Sequence, residues 1–106
     1  MLNQEHVLCL SIGSDGRVIA CHTVFIGTLT SSVMHPREIF AAAIADHAME
    51  VIVAHNHPSG AAEPSDQDVR ATQQLVAAGQ ILGVPLRDHI IVAKEEHFSF
   101  RNHCLL

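Results

Sequence analysis

Residues 51–68 read VIVAHNHPSGAAEPSDQD, and the order of residue types in this stretch decides how the chain is built. VIVA at 51–54 is apolar and largely β-branched, too short for a helix and of the kind that forms a buried strand. It runs directly into His55. Pro58 and Gly60 then mark a loop over 56–64. Ser65 opens a helical pattern in which Val69, Thr72, Leu75, Val76 and Gly79 fall on one side, ending near Gly83. PLRDHIIVA at 85–93 is a further buried strand. Strand, helix and strand in this order predict a layered α/β arrangement.

The rest of the chain extends this unit. EHVLCLSI at 5–12 and RVIACHTVFIG at 17–27 read as two strands joined by the turn cluster GSDG at 13–16, a hairpin. TLTSS at 28–32 is a polar connection. Pro36 suits the first position of a helix, where its missing N–H would have been unpaired anyway. Across PREIFAAAIADHAM, residues 36–49, the apolar side chains Ile39, Phe40, Ala43, Ile44 and Ala48 share a helical face. HFSF at 97–100 is a candidate for one short further strand. The expected order is β-β-α-β-α-β: an α/β fold with a mixed β-sheet flanked by helices.

A length of 106 residues fits a single domain spanning 1–106. No repeat and no linker is visible. Because the chain starts almost directly on a strand, it reads as one domain of a longer protein. The net charge is −5, with the six basic residues Arg17, Arg37, Arg70, Arg87, Lys94 and Arg101 scattered. Phosphate neutralisation dominates nucleic-acid affinity, so this composition argues against direct DNA or RNA contact by this segment. The four aromatic residues are all Phe, few for a base-stacking surface. Three cysteines, Cys9, Cys21 and Cys104, form no CxxC, and the first two lie in apolar runs. That usage predicts a reducing compartment, the cytoplasm. No apolar run approaches the roughly 18 residues that suggest a membrane span. The oligomeric state is not legible, although the exposed edge of a small mixed sheet could support a homodimer.

The chemistry concentrates in the opening stretch. His55 and His57 stand at i and i+2 just past a strand end, and extended backbone sends both imidazoles to one side. The Pro58–Gly60 turn can fold the following helix start back towards them, and Asp68 lies in its first turn. The result is a His₂Asp set of the kind Zn²⁺ accepts, with a fourth position left open, as catalytic zinc sites have. Hydrolysis also needs a general base and an oxyanion donor. Ser65 is placed to donate. The base should be a carboxylate from elsewhere, Glu5 or Glu38. A plainer reading exists for the same residues: Ser65-x-x-Asp68 is a capping-box pattern, and Asp66 and Asp68 suit the positive end of a helix dipole. Asp66 is expected not to be a ligand. His89 is read as a packed or hydrogen-bonded histidine, and His22, His35, His47, His97 and His103 as structural or surface residues. A zinc deaminase would need HxE and PCxxC, and neither is present.

His55-x-His57-Pro58, six residues, and Ser65-x-x-Asp68 reproduce the JAMM, or MPN+, metalloprotease motif. GTLTSSVMHPREIF, AHNHPSG, EPSDQD and DHIIV resemble the C-terminal domain of the RadC family, and the likeness runs from about Glu5 to Phe100. The resemblance implies a cytidine-deaminase-like JAMM/MPN fold, zinc held by His55, His57 and Asp68, Ser65 as oxyanion donor, and an upstream glutamate as general base. Glu5, at the start of an early strand, matches that glutamate's context better than Glu38. RadC proteins also carry an N-terminal region able to contact DNA that has no counterpart in these residues, so the family's DNA-repair label is not carried over. The expected function is zinc-dependent hydrolysis of an amide or isopeptide bond in an unidentified peptide or amide substrate. The competing reading is a non-catalytic zinc-binding interaction module associated with DNA repair.

Overall fold

The computed structural model describes residues 4–27, 34–58 and 60–106; the TLTSS connection and Ser59 of the loop lie outside the described residues. The elements are β1 (Glu5–Ile12), β2 (Val18–Gly27), α1 (Pro36–Ala45), β3 (Glu50–Asn56), α2 (Asp66–Leu82), β4 (Leu86–Val92) and β5 (His97–Ser99). They build one five-stranded sheet in the order β2-β1-β3-β4-β5. Its pairings are antiparallel except for β3 with β4, which run parallel with α2 as the crossover. The mixed α/β sheet and the hairpin are therefore as expected, and HFS at 97–99 is the fifth strand. β3 is longer than VIVA: it continues through His55 to Asn56.

Strand alternation decides where the core lies. Val7, Cys9, Val51 and Val53 point to one face and are fully buried against Ile39, Phe40 and Ala43 of α1 and Leu75 of α2. Full burial of each larger side chain contributes about 1.5–3 kcal/mol. The sheet is flanked by helices as expected, and both cover the same face. On the other face Leu8, Leu10, Ile52, Ala54 and Ile90 are half-buried and Val92 is exposed. Cys9 is a core residue: burial pushes its thiol up to about 11, and its Sγ donates to the Ile39 carbonyl. Cys21, expected to behave likewise, is exposed.

Helix α1 stops four residues short of the pattern that predicts it. His47 takes a left-handed conformation (φ 55°). The Ala48 N–H donates to the Ala43 carbonyl and the His47 N–H to the Ile44 carbonyl, both at 3.0 Å. This is a Schellman ending, with Ala43 and Ala48 both in the core. Ile44 consequently does not join the buried face; it is 50% exposed. The stop is set by a tertiary contact that the helical pattern does not reveal. Asp46 accepts hydrogen bonds from Ser11 of β1 (2.8 Å) and His22 of β2 (2.6 Å), which draws the helix end onto the hairpin. These bonds, His22 first and Ser11 next, hold the Asp46 carboxyl below its ordinary value of 3.8. A depressed carboxylate stabilises the fold above its unfolded value and loses that contribution as pH falls through the folded one. Asp46→Asn should therefore unfold at lower denaturant than wild type at pH 7, and the gap should close as the pH is taken below 3.8. Urea titrations at a series of pH values measure both effects.

Helix α2 starts at a capping box and ends at Gly83 in the left-handed region (φ 74°). Four residues before that end, the backbone of Val84 crosses the helix so closely that a Cβ on Gly79 would sit 2.7 Å from the Val84 carbonyl oxygen and 3.2 Å from the Phe40 ring. Gly79→Ala should cost about 1–3 kcal/mol by overpacking, despite alanine's better helix propensity. Equilibrium urea unfolding would read it as a lower midpoint.

Candidate metal centre

The site forms where the C-terminal end of β3 meets the N-terminus of α2. Extended backbone through Asn56 puts His55 and His57 on the same side, as their spacing predicts, with their Nε2 atoms 3.0 Å apart. The loop then turns back. The His57 N–H donates to the Val92 carbonyl at 2.9 Å, and the Gly60 N–H to the His57 carbonyl at 3.1 Å, with Gly60 at φ 97°. Ala62 is buried, and its N–H donates to the Glu96 carboxylate at 2.9 Å. These ties deliver Ser65 and the first turn of α2 to the histidines.

Asp68 serves the helix and the site together. Its Oδ2 accepts the Ser65 N–H at 2.9 Å, while the Ser65 Oγ accepts the Asp68 N–H at 3.1 Å. The same carboxylate places Oδ2 3.2 Å from the His57 Nε2 and Oδ1 3.5 Å from the His55 Nε2. The capping box and the metal constellation, alternatives in the sequence, coexist. Burial opposes the charge on Asp68, but the hydrogen bonds available from His55, when its Nε2 is protonated, and from the Ser65 N–H outweigh it and hold the carboxyl well below its ordinary value.

The donor set fits a cation. His57 Nδ1 lies 2.9 Å from the Ala61 carbonyl oxygen. A carbonyl only accepts, so the proton sits on Nδ1 and the Nε2 presents its lone pair. That lone pair meets the His55 Nε2 and a carboxylate in a pocket where His55 and Asp68 are each only 2% exposed. A cation among these donors would be met by all three. Tetrahedral zinc, with ligands about 2.0–2.2 Å away, sets its ligand atoms about 3.3 Å from one another. The nearest separations lie around that value, although the two histidines face different oxygens of Asp68. Among the described residues, His55, His57 and Asp68 are the group whose ligand atoms all lie within 4.8 Å of one another. The group can hold a metal ion.

The comparisons with known proteins agree with this architecture. A family model described as the RadC-like JAB domain matches residues 1–105. The chain belongs to that family. This RadC-like domain is 45% identical over 104 residues to a UPF0758 protein of Chlorobaculum parvum, covering 98% of this chain and 47% of the relative. It is 46% identical over 103 residues to one of Chlorobaculum tepidum, covering 97% and 46%. With one of Bacillus licheniformis it shares 45% over 100 residues, covering 94% and 45%. The chain thus spans about half the length of the curated relatives it matches.

The other predicted residues of the RadC-like domain divide clearly. Glu5 is the first residue of β1, on the same face as Val7, which pairs with His55. Two residues further along that antiparallel register, Glu5 comes alongside His57. Its Oε2 is buried with no hydrogen-bond partner. Glu38 lies elsewhere, exposed in the first turn of α1 beside Arg37. Ser65 is exposed at the helix cap, and Asp66 is exposed and outside the ligand group.

Asn56 escapes the sequence reading, and so do the particular partners of His89 and Thr72. The Asn56 side-chain amide accepts the His6 N–H and donates to the Gln4 carbonyl, clamping the backbone on both sides of Glu5. Fully buried His89 and Thr72 lie behind His55. Burial, followed by the His55 charge, pushes His89 down to about 3, so its ring is neutral. The available signal was polarity at core positions: Thr72 one turn beyond Asp68 on the buried side of α2, and His89 in an otherwise apolar strand centre.

Metal should stabilise the fold through this site. Zinc at a hundred times its Kd should add about 2.7 kcal/mol to unfolding free energy. His57→Ala should abolish the gain, and lowering the pH should erode it, because protons compete for the imidazole nitrogens. Denaturant melts with and without zinc test this; equal stabilisation of the variant would place the metal elsewhere.

Proposed function

We propose that this domain is a zinc-dependent hydrolase of the JAMM type that cleaves an amide or isopeptide bond in a peptide-like substrate. One observation supports it above the rest. A buried, partnerless Glu5 carboxylate oxygen lies on the sheet face that also presents three metal donors. A structural metal site would have no use for an unpaired carboxylate, whose burial costs free energy unless it has something to bind.

His55, His57 and Asp68 hold the ion in this reading. Zinc, when bound, supplies Lewis acidity that brings the pKa of water towards about 7 and polarises a carbonyl. Glu5 takes the proton of the attacking water and delivers it to the leaving amine. The Ser65 Oγ accepts the Asp68 N–H, which leaves its own hydrogen free to donate to the oxyanion that develops on the substrate carbonyl. Asn56 holds the strand segment that carries Glu5. The low aromatic content and scattered basic residues accord with a peptide or amide substrate rather than a nucleic acid.

The test separates binding from chemistry. Protein purified without metal-affinity chromatography should carry about one zinc per chain, as a single three-ligand site requires, and His57→Ala should carry none. Glu5→Gln should keep the zinc and lose about 10²–10⁴-fold in turnover of a hydrolysed amide or isopeptide substrate. At Ser65, alanine should cost about 1 kcal/mol of stability through the lost cap, and glycine only a few tenths. Both should lose turnover alike, about 10²–10³-fold. A zinc-loaded Glu5→Gln variant with undiminished turnover would overturn the assignment of the base.

A further inference from the structure

We propose that Thr72 and His89 form a positioning relay that sets the tautomer of His55 and so aims its Nε2 lone pair at the metal. The proposal rests on the metal reading above for its purpose, but the relay itself is argued from hydrogen-bond polarity.

The chain of contacts starts at the backbone of Asp68. The Thr72 Oγ1 lies 2.8 Å from the Asp68 carbonyl oxygen and 2.6 Å from the His89 Nδ1. A hydroxyl has one hydrogen, and a carbonyl can only accept. The Thr72 hydrogen therefore goes to the carbonyl, and the His89 Nδ1 must bring its own proton to the Thr72 oxygen. His89 is fully buried and has no carboxylate among its ring hydrogen-bond partners, which are Thr72 and His55. A buried imidazolium with no carboxylate in contact is costly, so the ring is neutral and its Nε2 is bare. That atom lies 2.7 Å from the His55 Nδ1. A hydrogen bond there needs a proton, and only His55 can supply it. With its proton on Nδ1, the neutral His55 ring turns an unprotonated Nε2 towards His57 and Asp68; that Nε2 carries a proton for Asp68 only when the ring is an imidazolium. The reverse polarity would leave the Thr72 oxygen and the Asp68 carbonyl oxygen facing each other at 2.8 Å with no proton between them.

Two further features suit a positioning role. Phe100, itself fully buried, stacks on His89 with centroids 4.6 Å apart and planes within 4°, which holds the plane of the ring in line with Thr72 and His55. The relay also begins on the backbone of one metal ligand and ends on the side chain of another. It therefore sets the orientation of His55 and ties the first turn of α2 to β3 in one device. Groups of this kind behind metal-bound histidines typically change metal affinity by about 10–100-fold when removed.

The experiment has two readouts. In metal-free protein labelled with ¹⁵N in the imidazoles, at a pH of about 8.5, above the ordinary histidine value, nitrogen chemical shifts report where each proton sits. His55 and His89 should both carry theirs on Nδ1. Zinc affinity, measured by competition with a chromophoric chelator, should fall about 10–100-fold in Thr72→Val and stay close to wild type in Thr72→Ser, which keeps the hydroxyl. A merely structural role for Thr72 would not move the His55 proton. Wild-type His55 protonated on Nε2 alone, or Thr72→Val binding zinc as tightly as wild type, would overturn the relay. The tautomer measurement needs no variant, so it decides the matter even where Thr72→Val fails to fold. Absence of zinc uptake by the wild type would overturn the metal reading and the relay's purpose together. Zinc uptake with the proton on the wrong nitrogen would overturn the relay alone.

Discussion

The carboxylate of Asp68 is the constraint on which the site depends. It closes the capping box that starts α2, and it faces two imidazole nitrogens at 3.2 and 3.5 Å. A helix terminus has unpaired N–H groups that must find acceptors. Here that need brings a negative charge to the point where β3 ends. The position of the helix start is in turn set by the parallel pairing of β3 and β4, because α2 is the connection between them. Sheet register, helix capping and ligand geometry are thus one problem with one solution. A shift at any of the three would move the donors apart.

The surroundings make that arrangement effective. One apolar cluster packs α1 and the middle of α2 against β1 and β3; a second, smaller one gathers Ala62, Ile91, Ala93 and Phe100. His55, Asp68, Thr72 and His89 form a buried polar seam associated with both. Hydrogen bonds and charges in such a seam are stronger than in water, and an unsatisfied member is correspondingly expensive. Each ring nitrogen of His89 has a partner. The one buried side-chain polar atom without a hydrogen-bond partner among the described residues is the Glu5 Oε2, which is why that atom draws the functional argument. Asp88 reinforces the seam from the far side. It accepts the His89 N–H at 2.7 Å, the Ser99 hydroxyl at 2.6 Å and the Arg101 N–H at 3.0 Å. The segment that presses Phe100 onto His89 is held to β4 by those bonds.

Membership of the RadC-like JAB family covers nearly the whole of this chain but about half of its curated relatives. His55, His57 and Asp68, the group that could hold a metal ion, all come from these residues. No helix among the described residues is long and apolar enough to cross a membrane.

The sequence alone determined whatever depends on near neighbours. The i, i+2 spacing puts His55 and His57 on one side of an extended strand, Ser65-x-x-Asp68 spells a helix start, and the Pro58–Gly60 turn joins them; all of this follows from backbone geometry within fifteen residues. The hairpin and the crossover were legible for the same reason. Tertiary structure decided what depends on distant partners. The end of α1 was misread because Asp46 is held by Ser11 and His22, 35 and 24 residues away, and the helical pattern carries no trace of those bonds. His89 reads from the sequence as a packed or hydrogen-bonded histidine, but its partner His55 stands 34 positions earlier, 2.7 Å away, where no local pattern points. Asn56 clamps backbone about 50 residues upstream. Where the two candidate glutamates lie is likewise a matter of space: the β1–β3 register places Glu5 alongside His57, whereas Glu38 is exposed beside Arg37 on α1. Local spacing brings the candidate ligands together, whereas pairing across the sheet decides which groups lie beside them.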